Sequence, residues 1–230
     1  MWFDAAWDGR SAAPVQIYGP PATRFLLQAA LNYLSVSERI FGAGGPALAP
    51  AASFFQAHDI LGNAEVYRDS RVTVIAVANT HYNFRSGTAA SGQDLSFSYR
   101  FNTARASVVF TGDTGPSDVV TDLARNADVL VSEVCLCDPR TKGPAVPGSK
   151  ARAGVPTALQ RQKAFHMHHE HLTPEEVGKM AAAAHVKVVI LTHFVPGGDK
   201  LDPAQYTAGV MRYFSGPVIR AEDLFEYDLR

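Results

Sequence analysis

Cysteine is scarce in this chain of 230 residues and neither sign of charge prevails, and each fact removes a class of function. The two cysteines, Cys135 and Cys137, form a single C-x-C pair, which excludes a disulfide framework and a four-cysteine zinc module. Two reduced thiols at a strand end are expected instead. Lysine and arginine number 21 against 22 acidic residues, a net charge of -1, and no basic run is long enough to make a phosphate-binding stripe. No nucleic-acid partner is therefore expected. No apolar stretch approaches a membrane span, and Met1 to Asp8 lack the basic and apolar regions of a signal peptide, so no membrane partner is expected either. Internal repeats and low-complexity linkers are also missing. What remains is a chain that is 47% hydrophobic, enough to bury a sizeable core as one domain over residues 1–230.

The pattern of that apolar material predicts an α/β fold. A short strand at Val15 to Tyr18, a Gly19-Pro20-Pro21 turn and an amphipathic helix from Thr23 carrying Phe25, Leu26, Ala29 and Leu31 open the chain. Gly42 to Ala52 and Asn83 to Gly92 read as loops, and strands are expected at Val72 to Ala78, Ser96 to Phe101, Ser107 to Thr111 and Asp128 to Glu133. A helix is expected from about Ser117 to Arg125. Cys135 to Gln162 reads as a long irregular insertion of the sort that forms lids or binding loops. Thr173-Pro174-Glu175-Glu176 is a capping box with proline at the first helical position, starting a helix that runs to about Ala184. The tail predicts a helix from Asp202 to about Phe214 and short strands near Val218 to Ile219 and Leu224 to Tyr227.

Three apolar strands end in chemistry. Val72 to Ala78 leads into Asn79-Thr80-His81, Val108-Val109-Phe110-Thr111-Gly112 into Asp113, and Val188-Val189-Ile190-Leu191-Thr192 into His193. Side chains so placed face a crevice at the sheet edge. Two imidazoles and a carboxylate form a ligand set that borderline-soft divalent metals favour. Asp113 could instead cap the following helix, but Ser117 and Asp118 already fill that role. His171 lies just ahead of a helix N-terminus, whose positive end disfavours imidazolium, so a carboxylate such as Glu133 is needed to keep it protonated.

These residues resemble the metallo-β-lactamase fold superfamily, in the branch that includes ribonuclease Z-like hydrolases. The match is carried in order by Ile17-Tyr18-Gly19-Pro20-Pro21, the strand leading to His81, Thr111-Gly112-Asp113-Thr114-Gly115-Pro116-Ser117-Asp118, and the unit from His171-Leu172-Thr173-Pro174-Glu175-Glu176 to Thr192-His193-Phe194. The resemblance implies an αββα sandwich with one or two zinc ions at its edge, iron and manganese also being compatible with the ligands. It makes His81, Asp113 and His193 metal ligands, with Asp113 bridging, and gives catalytic roles to Asp113 and to His171 backed by Glu133. The substrate class implied is a small ester, lactone or phosphodiester. A ribonuclease Z proper would add a basic, glycine-rich arm, and none lies between His81 and Asp113.

One departure is large: the family's H-x-H-x-D-H loop normally precedes the Val15 to Pro21 segment, so the chain reads as lacking it and the first sheet as incomplete. Weak turnover by this chain alone is the expectation. The second reading is a non-catalytic remnant that binds a metal or partner, with a homodimer through the unfilled sheet face. An export signal would also lie upstream, leaving a cytoplasmic location as the default. The run His166-Met167-His168-His169-Glu170-His171 mimics the missing loop as H-x-H-x-E-H, yet its place in the order matches the family only at His171. His166, His168 and His169 are accordingly expected in a solvated polar turn, and His58 and His185 match nothing.

Overall fold

Runs of β-branched residues bounded by glycine, proline and asparagine decide where the strands fall. The computed structural model describes residues 13–44, 49–84, 87, 94–137, 157–195 and 204–229. The chain divides into two compact units, Met1–Leu61 and Gly62–Arg230.

In the first unit, β1 (Val15–Gly19) pairs in parallel with β2 (Phe55–Asp59), and α1 (Thr23–Ala43) connects them together with a 3-10 turn at Ala51–Phe54. The Asp59 carboxylate accepts the Arg24 amide at 3.0 Å, satisfying one of the orphan donors at the start of the helix. Leu31 and Leu34 of α1 pack with Ala51, Phe54 and Phe55. Phe25 and Leu26, expected on the apolar face, are exposed, whereas Leu31, also expected there, packs inward together with Leu34.

The second unit holds a seven-stranded sheet in the order β3 (Ala64–Arg68), β4 (Val72–Ala78), β5 (Phe97–Thr103), β6 (Ser107–Phe110), β7 (Val129–Cys135), β8 (Val188–Val195) and β9 (Val218–Arg220). The pairs from β3 to β6 are antiparallel hairpin partners, whereas β6 to β9 run parallel and need crossovers. Helices α2 (Asp118–Leu123), α4 (Pro174–Ala183) and α5 (Ala204–Met211) belong to those crossovers, and α3 (Ala158–His169) precedes α4. Val109, Leu130, Val134, Val189 and Leu191 of the strands meet Val120, Leu123, Val177, Ala181 and Val210 of the helices in one core.

Local chemistry fixes the helix starts. Ser117 accepts the Val120 amide at 3.3 Å, and Thr173 with Glu176 forms the reciprocal capping box expected from the sequence. Asp128 ties the parallel strands together at their beginnings, accepting Ser107 N at 2.6 Å and Lys187 Nζ at 2.6 Å. The hydrogen bond from Lys187, then those from Ser107, hold its carboxyl down at about 2.

Several elements differ from expectation. Cys135 and Cys137, expected as thiols at a strand end, are both buried at the end of β7 with their Cα atoms 5.1 Å apart. Residues 138–156, within the expected irregular insertion, lie outside the described residues, but from Ala158 the chain is helical. Leu224 to Tyr227 forms no strand, and Asp202 and Pro203 lie outside the described residues. Among the described residues, no helix is long and apolar enough to cross a membrane.

Candidate metal and hydrolytic site

The C-terminal ends of β4, β6 and β7 and the far half of β8 supply the site. Beyond β6, the backbone turns at Gly112 with φ 58°, a left-handed conformation that glycine adopts without penalty. Asp113 follows with its side chain 35% exposed, so the carboxylate meets solvent at the rim while Thr111 and Thr114 on either side are fully buried. Since Ser117 caps α2, Asp113 is free of that duty.

His193 reaches Asp113 by a device that the sequence does not advertise. Glu133 pairs with Thr192 and Val134 with Phe194, so His193 is an extra residue bulged out of the β7–β8 ladder, inside β8 and not at its end. Its φ of 43° is uncommon for a non-glycine residue and costs on the order of 1–3 kcal/mol. The bulge aims its Nδ1 to 3.5 Å from Asp113 Oδ1.

His81 stands three residues past β4. The Asn79 side chain holds this corner, donating to the Thr111 carbonyl at 3.2 Å and accepting the His81 amide at 3.1 Å. His81 Nδ1 donates to the Glu170 carbonyl at 3.0 Å, which leaves Nε2 free. Nothing in the sequence separates Asn79 from an ordinary turn asparagine.

Glu133 and His171 form the buried half of the site. Glu133 is 2% exposed and accepts three hydrogen bonds: Thr114 N at 2.9 Å, Leu172 N at 3.3 Å and His171 Nδ1 at 2.8 Å. A buried carboxylate so satisfied escapes the cost of an unpaired charge. Burial of the His171 imidazole pulls its pKa down. The Glu133 hydrogen bond and the charges of Glu133, Asp113 and Glu170 outweigh that pull, so the net shift is upward.

The histidine run before His171 is not a solvated turn. His166, His168 and His169 close the last turn of α3, and the i,i+4 spacing of His166 and Glu170 brings them together, Nδ1 to Oε2, at 2.6 Å. His166 Nε2 then lies 3.4 Å from His171 Nε2. His169 stacks on Phe165 instead. Gly115 makes this approach possible, because a Cβ there would collide with the backbone carbonyl of His169. Gly115→Ala is therefore expected to displace residues 166–171 and to destabilise the fold by about 1–3 kcal/mol, as overpacking does. Thermal unfolding reads the effect, and a melting temperature equal to that of the parent would contradict the contact.

Ligand atoms of His81, Asp113 and His171 all lie within 4.8 Å of one another, as do those of Glu133, His171 and His193. Imidazole nitrogens beside carboxylate oxygens at this spacing fit a borderline divalent cation, but among the described residues the two groups share His171 and neither holds His81, Asp113 and His193 together.

The comparisons with known proteins agree in direction. A family model described as a beta-lactamase superfamily domain matches residues 7–194. The ribonuclease Z of Mycobacterium tuberculosis (strain H37Rv) is 26% identical over 94% of this chain and 70% of its own length. Among solved structures, the metallo-beta-lactamase fold protein YhfI from Bacillus subtilis matches with a TM-score of 0.61 and 16% identity, over 97% of this chain and 67% of that one. The short form of human tRNase Z matches with a TM-score of 0.56 and 16% identity, over 96% and 70%. Relatives bearing these names correct the expectation of no nucleic-acid partner, which no longer stands as an exclusion. A net charge of -1 argues against a broad phosphate-binding stripe, not against one phosphodiester held at a site. With a family model spanning most of its length, a mixed α/β architecture and these relatives, the chain belongs to the metallo-β-lactamase superfamily, in its ribonuclease Z-like branch, and is by family a hydrolase.

Proposed function

We propose that the chain hydrolyses phosphodiesters with the help of zinc, using Asp113, His193 and His81 to hold the ion and His171, backed by Glu133, to protonate the leaving group. The observation that carries this reading is the pairing of a solvent-facing Asp113–His193 couple with a buried His171–Glu133 couple on one sheet edge. The cation supplies Lewis acidity and makes water acidic enough to attack at neutral pH. Asp113, at the solvent-facing rim, would help to hold the cation and orient the attacking water.

Glu133 accepts the Nδ1 proton of His171, which fixes the ring and places the second proton on Nε2, facing the site. As the bond from phosphorus to the leaving oxygen breaks, that Nε2 proton passes to the departing alkoxide. The attacking water bonds to phosphorus as that bond breaks, leaving its oxygen and one hydrogen there and releasing its other proton to solvent. Phosphodiesters are preferred to esters and lactones because the relatives are named for ribonuclease Z activity, and a nucleic-acid phosphodiester is accordingly within the substrate class.

The test is cleavage of bis(p-nitrophenyl) phosphate by the chain after chelation and after return of zinc, manganese or iron, alongside an aryl ester and a lactone. Zinc is expected to restore turnover at least about tenfold above the chelated protein, with the phosphodiester the best substrate. Equal rates with and without metal, or a preference for the lactone, would contradict the proposal.

A further inference from the structure

We propose that Asn79 and Thr114 are positioning residues: they latch the segment that ends in His81 onto the turn that presents Asp113, and this latch sets how tightly the chain holds a divalent cation. The proposal rests on the hydrolytic reading, in which His81 and Asp113 are both ligands of the ion. Their ligand atoms lie within 4.8 Å of each other, although the two residues stand beyond different strands, β4 and β6. β5 runs between those strands, which sets them about 9–10 Å apart, twice the spacing of neighbouring strands. The two loops must therefore be drawn together by something other than strand pairing.

The latch has two points. At the first, the Asn79 side chain works in both directions. Its oxygen accepts the His81 amide at 3.1 Å, a local turn of the kind asparagine often makes. Its amide nitrogen reaches across to the Thr111 carbonyl at 3.2 Å and to Ser98 Oγ at 3.3 Å, which a local turn does not need. Gly112 lies close against it, since a Cβ there would stand 3.8 Å from Asn79 Nδ2. At the second point, Thr114 Oγ1 gives its own proton to the Gly115 carbonyl at 2.8 Å and accepts from Thr80, whose amide is 3.3 Å away and whose hydroxyl is 3.2 Å away. Thr114 is fully buried, and its amide donates to Glu133 at 2.9 Å. Asp113 is thus bracketed by Thr111, tied to Asn79, and by Thr114, tied to Thr80.

The fold does not depend on the latch. The Thr111 carbonyl also accepts Ser98 Oγ at 2.5 Å, so removing the Asn79 amide orphans no buried carbonyl, and His81 is half-buried, so water can take over its N–H. β4 and β6 keep their ladders with β5. What is lost is the aim of the ligands. Groups one layer behind a metal ligand orient it, and removing such a group typically weakens the site about 10–100-fold.

Zinc affinity, measured by competition with a chromophoric chelator, tests the latch alongside the melting temperature of the metal-free chain. Asn79→Ala is expected to weaken zinc at least about tenfold while the metal-free chain melts close to the parent. Thr114→Val removes the acceptor for Thr80 but keeps the Thr114 amide on Glu133, and it should weaken zinc as well. Thr114→Ser keeps the hydroxyl and should hold zinc to within about threefold of the parent. Because the latch acts by aiming His81, Asn79→Ala should cost nothing further in a His81→Ala chain. Unchanged affinity in Asn79→Ala and Thr114→Val overturns the latch, as does a Thr114→Ser chain as weak as Thr114→Val or a metal-free Asn79→Ala chain that no longer melts cooperatively. If His81→Ala and Asp113→Ala still weaken zinc in that case, the hydrolytic proposal stands. Zinc binding that is absent, or that ignores His81→Ala and Asp113→Ala, overturns the cation reading and the latch with it.

Discussion

Replacing Asp113 with Asn is expected to lower phosphodiester turnover by about 10²–10³-fold and to weaken the catalytic cation at least about tenfold, the two losses appearing together. Asn keeps the shape and one acceptor oxygen but removes the charge that faces His193 Nδ1 at 3.5 Å. The backbone that presents this side chain is set by Gly112 at φ 58° and by buried Thr111 and Thr114, none of which depends on the carboxylate. Folding stability should accordingly change little. Parallel measurements of kcat, bound zinc and melting temperature check this. Full activity at unchanged metal content would remove Asp113 from the mechanism, and a collapse of the melting temperature would make its role structural.

The second large effect belongs to the buried couple. His171→Ala is expected to reduce kcat by about 10²–10⁴-fold, the usual contribution of a general acid, with KM nearly unchanged. Glu133→Gln should be milder, because an amide oxygen can still accept Thr114 N and Leu172 N, and it carries a signature in pH. In the parent protein, burial lowers the His171 pKa but Glu133, Asp113 and Glu170 raise it more, so the net is above the ordinary 6.5. The sign follows: a raised folded-state pKa contributes stability that is complete below 6.5 and fades as pH rises through the raised value. The donor form fades over the same range, giving kcat a falling alkaline limb. Glu133→Gln removes the largest upward contribution, so that limb should move to lower pH, and the pH-dependent part of the stability should shrink with it. An alkaline limb that stays in place in Glu133→Gln would assign it to another group.

Much of this was legible in the sequence because it is local. The runs leading to His81, Asp113 and His193 each mark a strand, and the Thr173 to Glu176 capping box fixes the start of α4 by hydrogen bonds made within four residues. The glycine at 112 announces a turn wherever it is placed. What escaped depends on contacts between distant segments. The bulge at His193 exists only in the register between β7 and β8, and a strand read alone carries no register.

Sequence order alone places His166 in solvent, because its position among the motifs argues against a role at the site. Its actual placement depends on α3 ending against Gly115, a meeting of residues more than fifty positions apart. The i,i+4 pair of His166 and Glu170 was present as a signal, and a helix through that run would have put both on one face. Phe25 and Leu26 mislead in the opposite way, since helical periodicity indicates an apolar face without saying how much of it is covered.

The hydrolytic proposal requires Asp113 and His193 to share a cation with His81 at the edge of the sheet. Anomalous scattering from a zinc-soaked crystal of the chain tests it most directly. An ion is expected within about 2.0–2.2 Å of an Asp113 oxygen and of His193 and His81 nitrogens. Zinc found only at surface carboxylates, with Asp113 and His193 bare in a crystal that has taken up the metal elsewhere, would contradict it.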